Sequence, residues 1–335
     1  MFFSSTSDPI QIDGYQSYGR SNHLYLIGRA LEHEGVDLKK TSFLSAFKNA
    51  YKQFASDELR HTKLRVTLPD NRSLYTVTDA EGYFKVDERV DGLGALTNEE
   101  GWLQMVISFD DVQQGTIVLG ENRFPIEMLI PSQNASYGVI SDIDDTILHT
   151  GVASLLKWRV IVNTFFKNVG KRTSLEGAPA LYQKLHNGKS GHDTNPMFYV
   201  SNSPWNLYNY LESFVRNQKF PKGPILLRDL RGPFEKTPKP EKPHKQQEIR
   251  NILDTYPNLK FVLIGDSGEH DVDIYLEVAR EYPEQIIAVY LRSVKHKKRV
   301  LRVKSVLSQY ETTAAVLVEK SAFAEEHARS IGLIK

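Results

Sequence analysis

The stretch GVISDIDDTILHTGV, residues 138–152, joins an apolar run to three aspartates within four positions. An apolar run of this length is typical of a strand buried on both faces of a sheet. Alternate side chains of an extended segment share a face, so Asp142 and Asp144 can point at one spot while Ile143 packs the other way. Two carboxylates aimed together repel each other unless a cation or a proton compensates.

Two kinds of chemistry offset that repulsion. A hard divalent cation such as Mg²⁺ takes oxygen ligands and neutralises part of the charge. Alternatively, one carboxyl group keeps its proton, which places a general acid beside a nucleophile. Both arrangements serve phosphoryl transfer through an aspartyl-phosphate. Taken alone, the three aspartates are equally compatible with a solvated acidic turn.

Downstream of residue 136, apolar strands alternate with amphipathic helices, which predicts a parallel sheet covered on both faces. The predicted strands are YGVISD, MFYVS, PILLRD, KFVLIGD and QIIAVYL. The predicted helices are LLKWRVIVNTFFKN, APALYQKLHN, PWNLYNYLESFVRN, HKQQEIRNILDTY and VDIYLEVAREY. Ligands of such sheets bind beyond the carboxyl ends of the strands. Asp142, Ser201 and Asp266 stand at three of these ends.

Further polar residues follow these strand ends. Ser201 leads through NSPW into a predicted helix, and a hydroxyl beside free backbone N–H groups can hold a phosphate. Asp271 follows Asp266 in FVLIGDSGEHD, whose glycines permit a close approach of other groups. Lys245 opens a predicted helix after a proline-rich loop. Each residue also has a purely structural interpretation as a cap, a turn residue or a solvated charge.

The N-terminal part of the chain has a different pattern. Short β-like runs with turn signals predict a small antiparallel β-sandwich, and they include KLRVTLPDNRSLYTVTDAEGYFKV, WLQMVISF, GTIVLG and RFPIEMLI. One helix is predicted, over SFLSAFKNAYKQF. In TDAEGYF, Asp79 can accept hydrogen bonds from nearby backbone, and Gly82 supplies an unusual φ before the next strand.

Composition narrows the class of protein. The chain has 335 residues, of which 40% are hydrophobic and 25% charged, as in a globular protein with two domains. A formal net charge of +1 gives no field that favours nucleic acid. The absence of cysteine excludes disulfides, thiolate metal sites and cysteine nucleophiles. With no signal-like N-terminus and no long apolar run, we expect a cytoplasmic protein without a membrane span.

Several motifs together resemble a known family. DIDDT, FYVSNS, HK and IGDSGEHD follow the order of the four motifs of the haloacid dehalogenase-like phosphatases. More narrowly, SDIDDTI, YVSNSPWNLY, FPKGPILLRD, HKQQEIRNIL and FVLIGDSGEHDVDIY resemble the catalytic domain of the actin-patch-protein phosphatidate phosphatases and their bacterial relatives, near the lipins. The resemblance covers about residues 136–292, and it is loose over the N-terminal half.

The resemblance implies a role for each matching residue. Asp142 would be the nucleophile and an Mg²⁺ ligand, and Asp144 would be the general acid and base, with its backbone carbonyl on the metal. Asp266 would complete the metal shell, supported by Asp271. The substrate's phosphoryl group would be held by Thr146, Ser201, Asn202 and Lys245. Because the loop before the helix is rich in lysine, Lys239 or Lys242 could take the place of Lys245.

The expected protein is α/β, with three parts. An N-terminal β-sandwich-like domain spans 1–135, a haloacid dehalogenase-like three-layer domain with a parallel sheet spans 136–295, and a helical tail spans 296–335. The resemblance implies Mg²⁺-dependent hydrolysis of phosphatidate to diacylglycerol. The alternatives are a phosphatase for a soluble phosphomonoester or a phosphoprotein, and a non-catalytic module that binds phosphatidate.

Two stretches predict how a lipid substrate is reached. LLKWRVIVNTFF, residues 155–166, is apolar on more than one face, which favours a buried helix and allows contact with a bilayer interface. RSVKHKKRVLRVK, residues 292–304, contains no acid. It is either a solvated helical face or a peripheral contact with phosphatidate or another anionic phospholipid.

Overall fold

The structure is a computed structural model that describes residues 8–33, 58–112, 115–143, 177–228, 243–266, 271–292, 314–318 and 321–335. The chain divides into two units. Unit 1 comprises Met1–Ser132 and Asn206–Ser213, and unit 2 comprises Gln133–Trp205 and Phe214–Lys335. The predicted helix over 42–54, the predicted helix over 155–168 and most of the basic stretch 292–304 lie outside the described residues.

Unit 1 contains two β-sheets. Strands β1 (Ile10–Tyr15), β3 (His23–Glu32) and β6 (Tyr83–Arg89) form an antiparallel sheet in the order β1-β3-β6. The second sheet has the order β2-β8-β7-β4-β5, with β2 (Ser17–Tyr18), β4 (Lys63–Thr67), β5 (Ser73–Val77), β7 (Trp102–Phe109) and β8 (Phe124–Leu129). Its pairs are antiparallel except β2 with β8.

The two sheets share one apolar core. Alternating residues of both sheets are buried in it, as the period of a half-buried strand requires, and they include Ile12, Leu24, Leu64, Ile107 and Ile126. This confirms antiparallel sheets in the N-terminal half. The predicted strand GTIVLG is absent as such, because only Val118 forms a single bridge, to Ile10. The chain then turns through Gly120, Glu121 and Asn122, which all have a positive φ.

The turn over TDAEGYF has the predicted geometry. The Asp79 carboxylate accepts hydrogen bonds from the backbone N–H groups of Glu81 and Tyr83 at 2.8 and 2.9 Å. Gly82 has a φ of 77°, and β6 begins at the next residue. An Asx turn followed by a left-handed glycine therefore reverses the chain before β6.

Unit 2 is built on a parallel six-stranded sheet in the order β11-β10-β9-β12-β13-β14. Its strands are β9 (Gly138–Asp142), β10 (Met197–Pro204), β11 (Ile225–Arg228), β12 (Phe261–Asp266), β13 (Ile286–Arg292) and β14 (Ala314–Val318). The chain order reverses at β9, as in a doubly wound sheet, which creates a ligand-binding crevice at the carboxyl ends of the strands. All five residues of β9 are buried.

The described helices are α1 (Ala178–Asn187), α2 (Tyr208–Asn217), α3 (His244–Thr255), α4 (Asp271–Glu281) and α5 (Ser321–Ser330). Four of them confirm predicted helices, although α2 begins later than PWNLYNYLESFVRN suggested. Pro204 ends β10, and a 3-10 helix, Trp205–Leu207, precedes α2. Among the described residues, no helix is long and apolar enough to cross a bilayer.

Two observations bear on the predicted division into domains, whose limits remain a prediction. The tail predicted as helical contains β14, which pairs with β13 in register from Ala288↔Ala314 to Arg292↔Val318. Asn206–Ser213 belongs to unit 1, although the sequence places it in the second domain. Within unit 1, the Tyr208 hydroxyl accepts a hydrogen bond from the backbone N–H of Gln16 at 2.7 Å.

We expect Gly82→Ala to destabilise unit 1. The positive φ strains an alanine, and a Cβ atom there would lie 2.5 Å from the carbonyl oxygen of Ala30. Gly92 is the matched control, because its φ is 82° and a Cβ atom there would meet no described atom within 4 Å beyond its chain neighbours. Urea unfolding should show Gly82→Ala losing at least about 1 kcal/mol more than Gly92→Ala. Equal losses would mean that the contact with Ala30 has no energetic consequence.

Candidate active site

Asp142 ends the central strand of the parallel sheet and is only 1% exposed. Its neighbour on β10 is Val200, and on β12 the register pairs Ile264 with Ser141. Ser201 is therefore the first residue beyond the pair Asp142–Val200, and the backbone of Asp266 lies at the same edge of the sheet. The three predicted positions therefore lie at one edge of the sheet, although Ser201 lies within β10, which continues to Pro204.

Lys245 approaches Asp142 from helix α3. Its Nζ lies 3.0 Å from Oδ1 of Asp142, and the two side chains are 1% and 2% exposed. Pro243 precedes α3 and places Lys245 in the first turn of that helix. A lysine and a carboxylate this deeply buried are tolerable only as a pair. The alternative lysines, Lys239 and Lys242, lie outside the described residues.

Ser201 and Asn202 differ in exposure. Ser201 is fully buried, and its hydroxyl oxygen accepts a hydrogen bond from the backbone N–H of Ser203 at 2.9 Å. Asn202 is exposed. The register between β10 and β11 shifts between Val200 and Pro204, so the chain leaves regular pairing where these polar residues occur. Such irregularities re-aim side chains at the ends of strands.

The structure describes the other predicted site residues only in part or not at all. Asp266 is the last residue of β12 and Asp271 the first of α4, but their side chains lie outside what the structure describes. Asp144 and Thr146 lie wholly outside it. Within the described residues, no cluster of three or more His, Asp or Glu side chains forms a metal site. Gly265 permits close packing at this edge, since a Cβ there would lie 2.2 Å from the Tyr275 ring.

His244 precedes Lys245 in the sequence and remains neutral at physiological pH. Burial, above all, lowers its pKa to about 4, with help from the nearby charges of Arg228 and Lys245 and against a hydrogen bond to the backbone of Leu226 that raises it. The nearest described acid is Glu248, with Oε1 3.9 Å from Nδ1. A neutral imidazole adds no second positive charge beside Lys245.

Sequence reasoning missed two hydroxyl groups on the other face of β9. The Ser141 hydroxyl lies 2.7 Å from the hydroxyl of Tyr182 on α1 and 3.0 Å from the carbonyl oxygen of Asp142. Burial, above all, raises the pKa of Tyr182, so its hydroxyl keeps its proton. The available signal was a serine inside an apolar strand, because a buried hydroxyl needs a partner.

Comparison with known proteins finds a family that is similar to residues 137–293. Residues 137–293 match the family described as "Phosphatidate phosphatase APP1, catalytic domain". This part of the chain is therefore similar to the catalytic domain of that family. The Phosphatidate phosphatase APP1 of Saccharomyces cerevisiae is 35% identical over 237 residues, which are 70% of this chain and 37% of that protein. The resemblance of the motifs to the catalytic domain of the phosphatidate phosphatases is thereby confirmed.

Two other matches are more distant. An uncharacterized protein of Schizosaccharomyces pombe is 29% identical over 221 residues, covering 65% of this chain and 34% of that protein. The chain thus spans little more than a third of the length of the curated relatives it matches. One solved structure, of Bacteroides thetaiotamicron EndoBT-3987 with Man5GlcNAc product, aligns with 92% of this chain and with 72% of its own chain at 8% sequence identity. Its TM-score of 0.20 is too low to indicate a shared fold.

We expect Lys245→Met to destabilise unit 2 strongly, because it removes the cation that lies 3.0 Å from the buried Asp142 carboxylate. Breaking a buried pair costs about 3–5 kcal/mol, whereas removing both charges costs less. Urea unfolding should therefore find the double variant Asp142→Asn/Lys245→Met more stable than Lys245→Met. Arg65→Met removes the exposed partner of Asp110 in unit 1 and, as a control, should cost less than about 1 kcal/mol. If Lys245→Met were as mild as Arg65→Met, the buried pair would not stabilise the fold.

We also expect His244 to make the stability depend on pH. Its pKa is about 4 in the folded protein against 6.5 for an unperturbed histidine, so the unfolded chain binds more protons between these values. Stability contributed by neutral His244 is complete above pH 6.5 and is lost as the pH falls toward 4, by about 3 kcal/mol. In urea unfolding across this range, His244→Asn should show a shallower decline, and the exposed control His192→Asn should not. Parallel declines for the parent and His244→Asn would contradict the assignment.

Proposed function

We propose that this protein is a phosphatase that hydrolyses phosphatidate to diacylglycerol and inorganic phosphate through an aspartyl-phosphate on Asp142. The observation that carries the proposal is the Asp142 carboxylate, which lies at the carboxyl end of the central parallel strand with Lys245 3.0 Å away. The match of residues 137–293 to the phosphatidate phosphatase family supports the same chemistry. The doubly wound strand order is compatible with the proposed haloacid dehalogenase-like fold.

In the first proposed step, a carboxylate oxygen of Asp142 attacks phosphorus, and the bond from phosphorus to the glycerol oxygen breaks. Asp144 donates its proton to the departing alkoxide, which leaves as diacylglycerol. In the second step, Asp144 takes a proton from water, whose oxygen attacks phosphorus and releases inorganic phosphate. Asp142 is regenerated as a carboxylate and Asp144 as an acid.

The chain's own cation and hydroxyl hold the phosphoryl group in this proposal. The Lys245 ammonium already lies beside the attacking carboxylate, so it can pair with phosphoryl oxygens that approach Asp142. Ser201 lies one residue beyond the register partner of Asp142 and offers a buried hydroxyl. Asn202 and Thr146 are proposed to complete the contacts with substrate.

The proposed metal is Mg²⁺, with Asp142, Asp144, Asp266 and Asp271 as the ligand set and its support. The positions fit, since Asp142 and Asp266 end the adjacent strands β9 and β12 at one edge of the sheet. Carboxylate and carbonyl oxygens are the ligands that Mg²⁺ prefers, and the chain has no thiolate to favour a softer ion. When bound, the metal would neutralise charge on the phosphoryl group.

The lipid substrate implies an approach to a membrane surface. We propose that the protein acts in the cytoplasm and touches anionic membranes peripherally through the basic stretch 292–304. Arg292 is the last residue of β13 and the register partner of Asp266, so the stretch begins at the active edge of the sheet. The apolar flank 155–166 is a second candidate contact.

Phosphate release tests this proposal, with short-chain phosphatidate, phosphatidate vesicles, soluble phosphomonoesters and phosphopeptides as substrates. We expect Asp142→Asn and Asp144→Asn to lower turnover of phosphatidate by at least about a thousandfold. The control Asp110→Asn, which changes a carboxylate of unit 1, should remain as active as the parent. Chelation should abolish activity, and added Mg²⁺ should restore it.

Three results would contradict the proposal in different ways. Near-parental turnover in either active-site variant would exclude the aspartyl-phosphate route, and full activity in chelator would exclude the metal. Preference for the soluble substrates over both phosphatidate forms would indicate a phosphatase for phosphomonoesters or phosphoproteins. Binding to phosphatidate vesicles without any turnover would indicate a lipid-binding module.

A further inference from the structure

The two hydroxyl groups behind Asp142 form a directed chain of hydrogen bonds. The Asp142 carbonyl oxygen can only accept, so the single hydrogen of the Ser141 hydroxyl points to it across 3.0 Å. Ser141 then has only lone pairs to offer, and the Tyr182 hydroxyl donates to it across 2.7 Å. Ser141 is fully buried and Tyr182 is 2% exposed. Water therefore does not compete with either bond.

This chain contacts Asp142 from the face opposite to Lys245. Adjacent residues of a strand point to opposite sides, so Ser141 faces α1 while the Asp142 side chain faces α3. Lys245 restrains the carboxylate at 3.0 Å, and the hydroxyl chain restrains the peptide group that carries it. The direction in which the carboxylate leaves the strand depends on both restraints.

We propose that Tyr182 and Ser141 are positioning residues that hold the peptide of Asp142 in the orientation needed for attack on phosphorus. The proposal rests on the proposed function, in which Asp142 is the nucleophile. Neither hydroxyl touches the reacting atoms. Small displacements of a reacting group cost rate rather than substrate affinity, so loss of the chain should lower kcat and leave KM unchanged.

Tyr182→Phe is the decisive variant, and Tyr199→Phe is its matched control. Both remove one hydroxyl from a buried tyrosine of unit 2, and the Tyr199 hydroxyl donates to the carbonyl oxygen of Pro221 at 2.7 Å. Tyr199 is the register partner of Ser141 on the adjacent strand β10, but its hydroxyl bonds to Pro221 and not to a residue of β9. A merely structural role for Tyr182 predicts the same behaviour for both variants.

The measurement is steady-state hydrolysis of monomeric short-chain phosphatidate with Mg²⁺, together with urea unfolding of each protein. We expect Tyr182→Phe to lower kcat by about tenfold to a hundredfold at unchanged KM. Tyr199→Phe should keep the parental kcat while losing similar stability. A kcat for Tyr182→Phe near the parental value, an equal loss in Tyr199→Phe, or a change confined to KM would each overturn the positioning role.

Ser141→Ala tests the same hydrogen-bond chain at its middle residue, and it replaces Tyr182→Phe as the test if that variant does not fold. It should lower kcat at least as much, and the double variant Ser141→Ala/Tyr182→Phe should lower it no further, because one contact carries both effects. The double variant should also be more stable than Ser141→Ala, which leaves the Tyr182 hydroxyl without its acceptor. Additive losses of kcat would overturn the chain.

The activity of the parent protein distinguishes failure of this inference from failure of the proposed function. An inactive parent would overturn both. A parent that hydrolyses phosphatidate, loses activity in Asp142→Asn and keeps its kcat in Tyr182→Phe would overturn the positioning role alone.

Discussion

The Asp142 carboxylate is almost completely withdrawn from water, and its burial constrains the arrangement of unit 2. Transferring an isolated carboxylate into a protein interior costs several kcal/mol, so the fold must bring a positive charge to it. Lys245 supplies that charge from the first turn of α3. The position of Asp142 is fixed by the sheet, because β9 lies between β10 and β12 and every residue of β9 is buried. The pair can form only if the sheet order and the packing of α3 are both correct.

This compensation differs from the one that the sequence suggested. The three aspartates indicated repulsion offset by a metal ion or a proton, whereas the described structure shows a lysine of the chain itself against the first of them. A lysine and a metal ion can compensate the charge of the same carboxylate. A carboxylate has two oxygens, and the contact with Lys245 involves Oδ1. In the proposed function, the buried lysine would supply positive charge where phosphoryl oxygens approach Asp142. Neutral His244 beside it avoids repulsion between two cations.

The fold was predictable where a segment's own pattern determines its structure. Continuous apolar runs ended by polar residues located β9 to β13, and the amphipathic period located α1, α3 and α4. β14 was missed, because AAVLV is too short for its period to distinguish strand from helix, and its pairing with β13 is a non-local event. The opposite error occurred for GTIVLG, which was predicted as a strand. Its β propensity produces only the single bridge at Val118, because no described strand pairs with it along its length. Pairing partners, rather than propensity, decided both cases.

The candidate site was predictable as a set of strand ends but not as a set of contacts. Parallel pairing brings the ends of β9, β10 and β12 to one edge, so the order of motifs was enough to select Asp142, Ser201 and Asp266. The contacts of Asp142 with α3, and of Ser141 with α1, depend on helix packing that no local pattern contains. Yet successive side chains of a strand point to opposite faces of the sheet, so Ser141 and Asp142 must find their partners on opposite faces. A buried polar pair at the end of a central strand therefore needs two helices, one on each side, and a doubly wound sheet provides them.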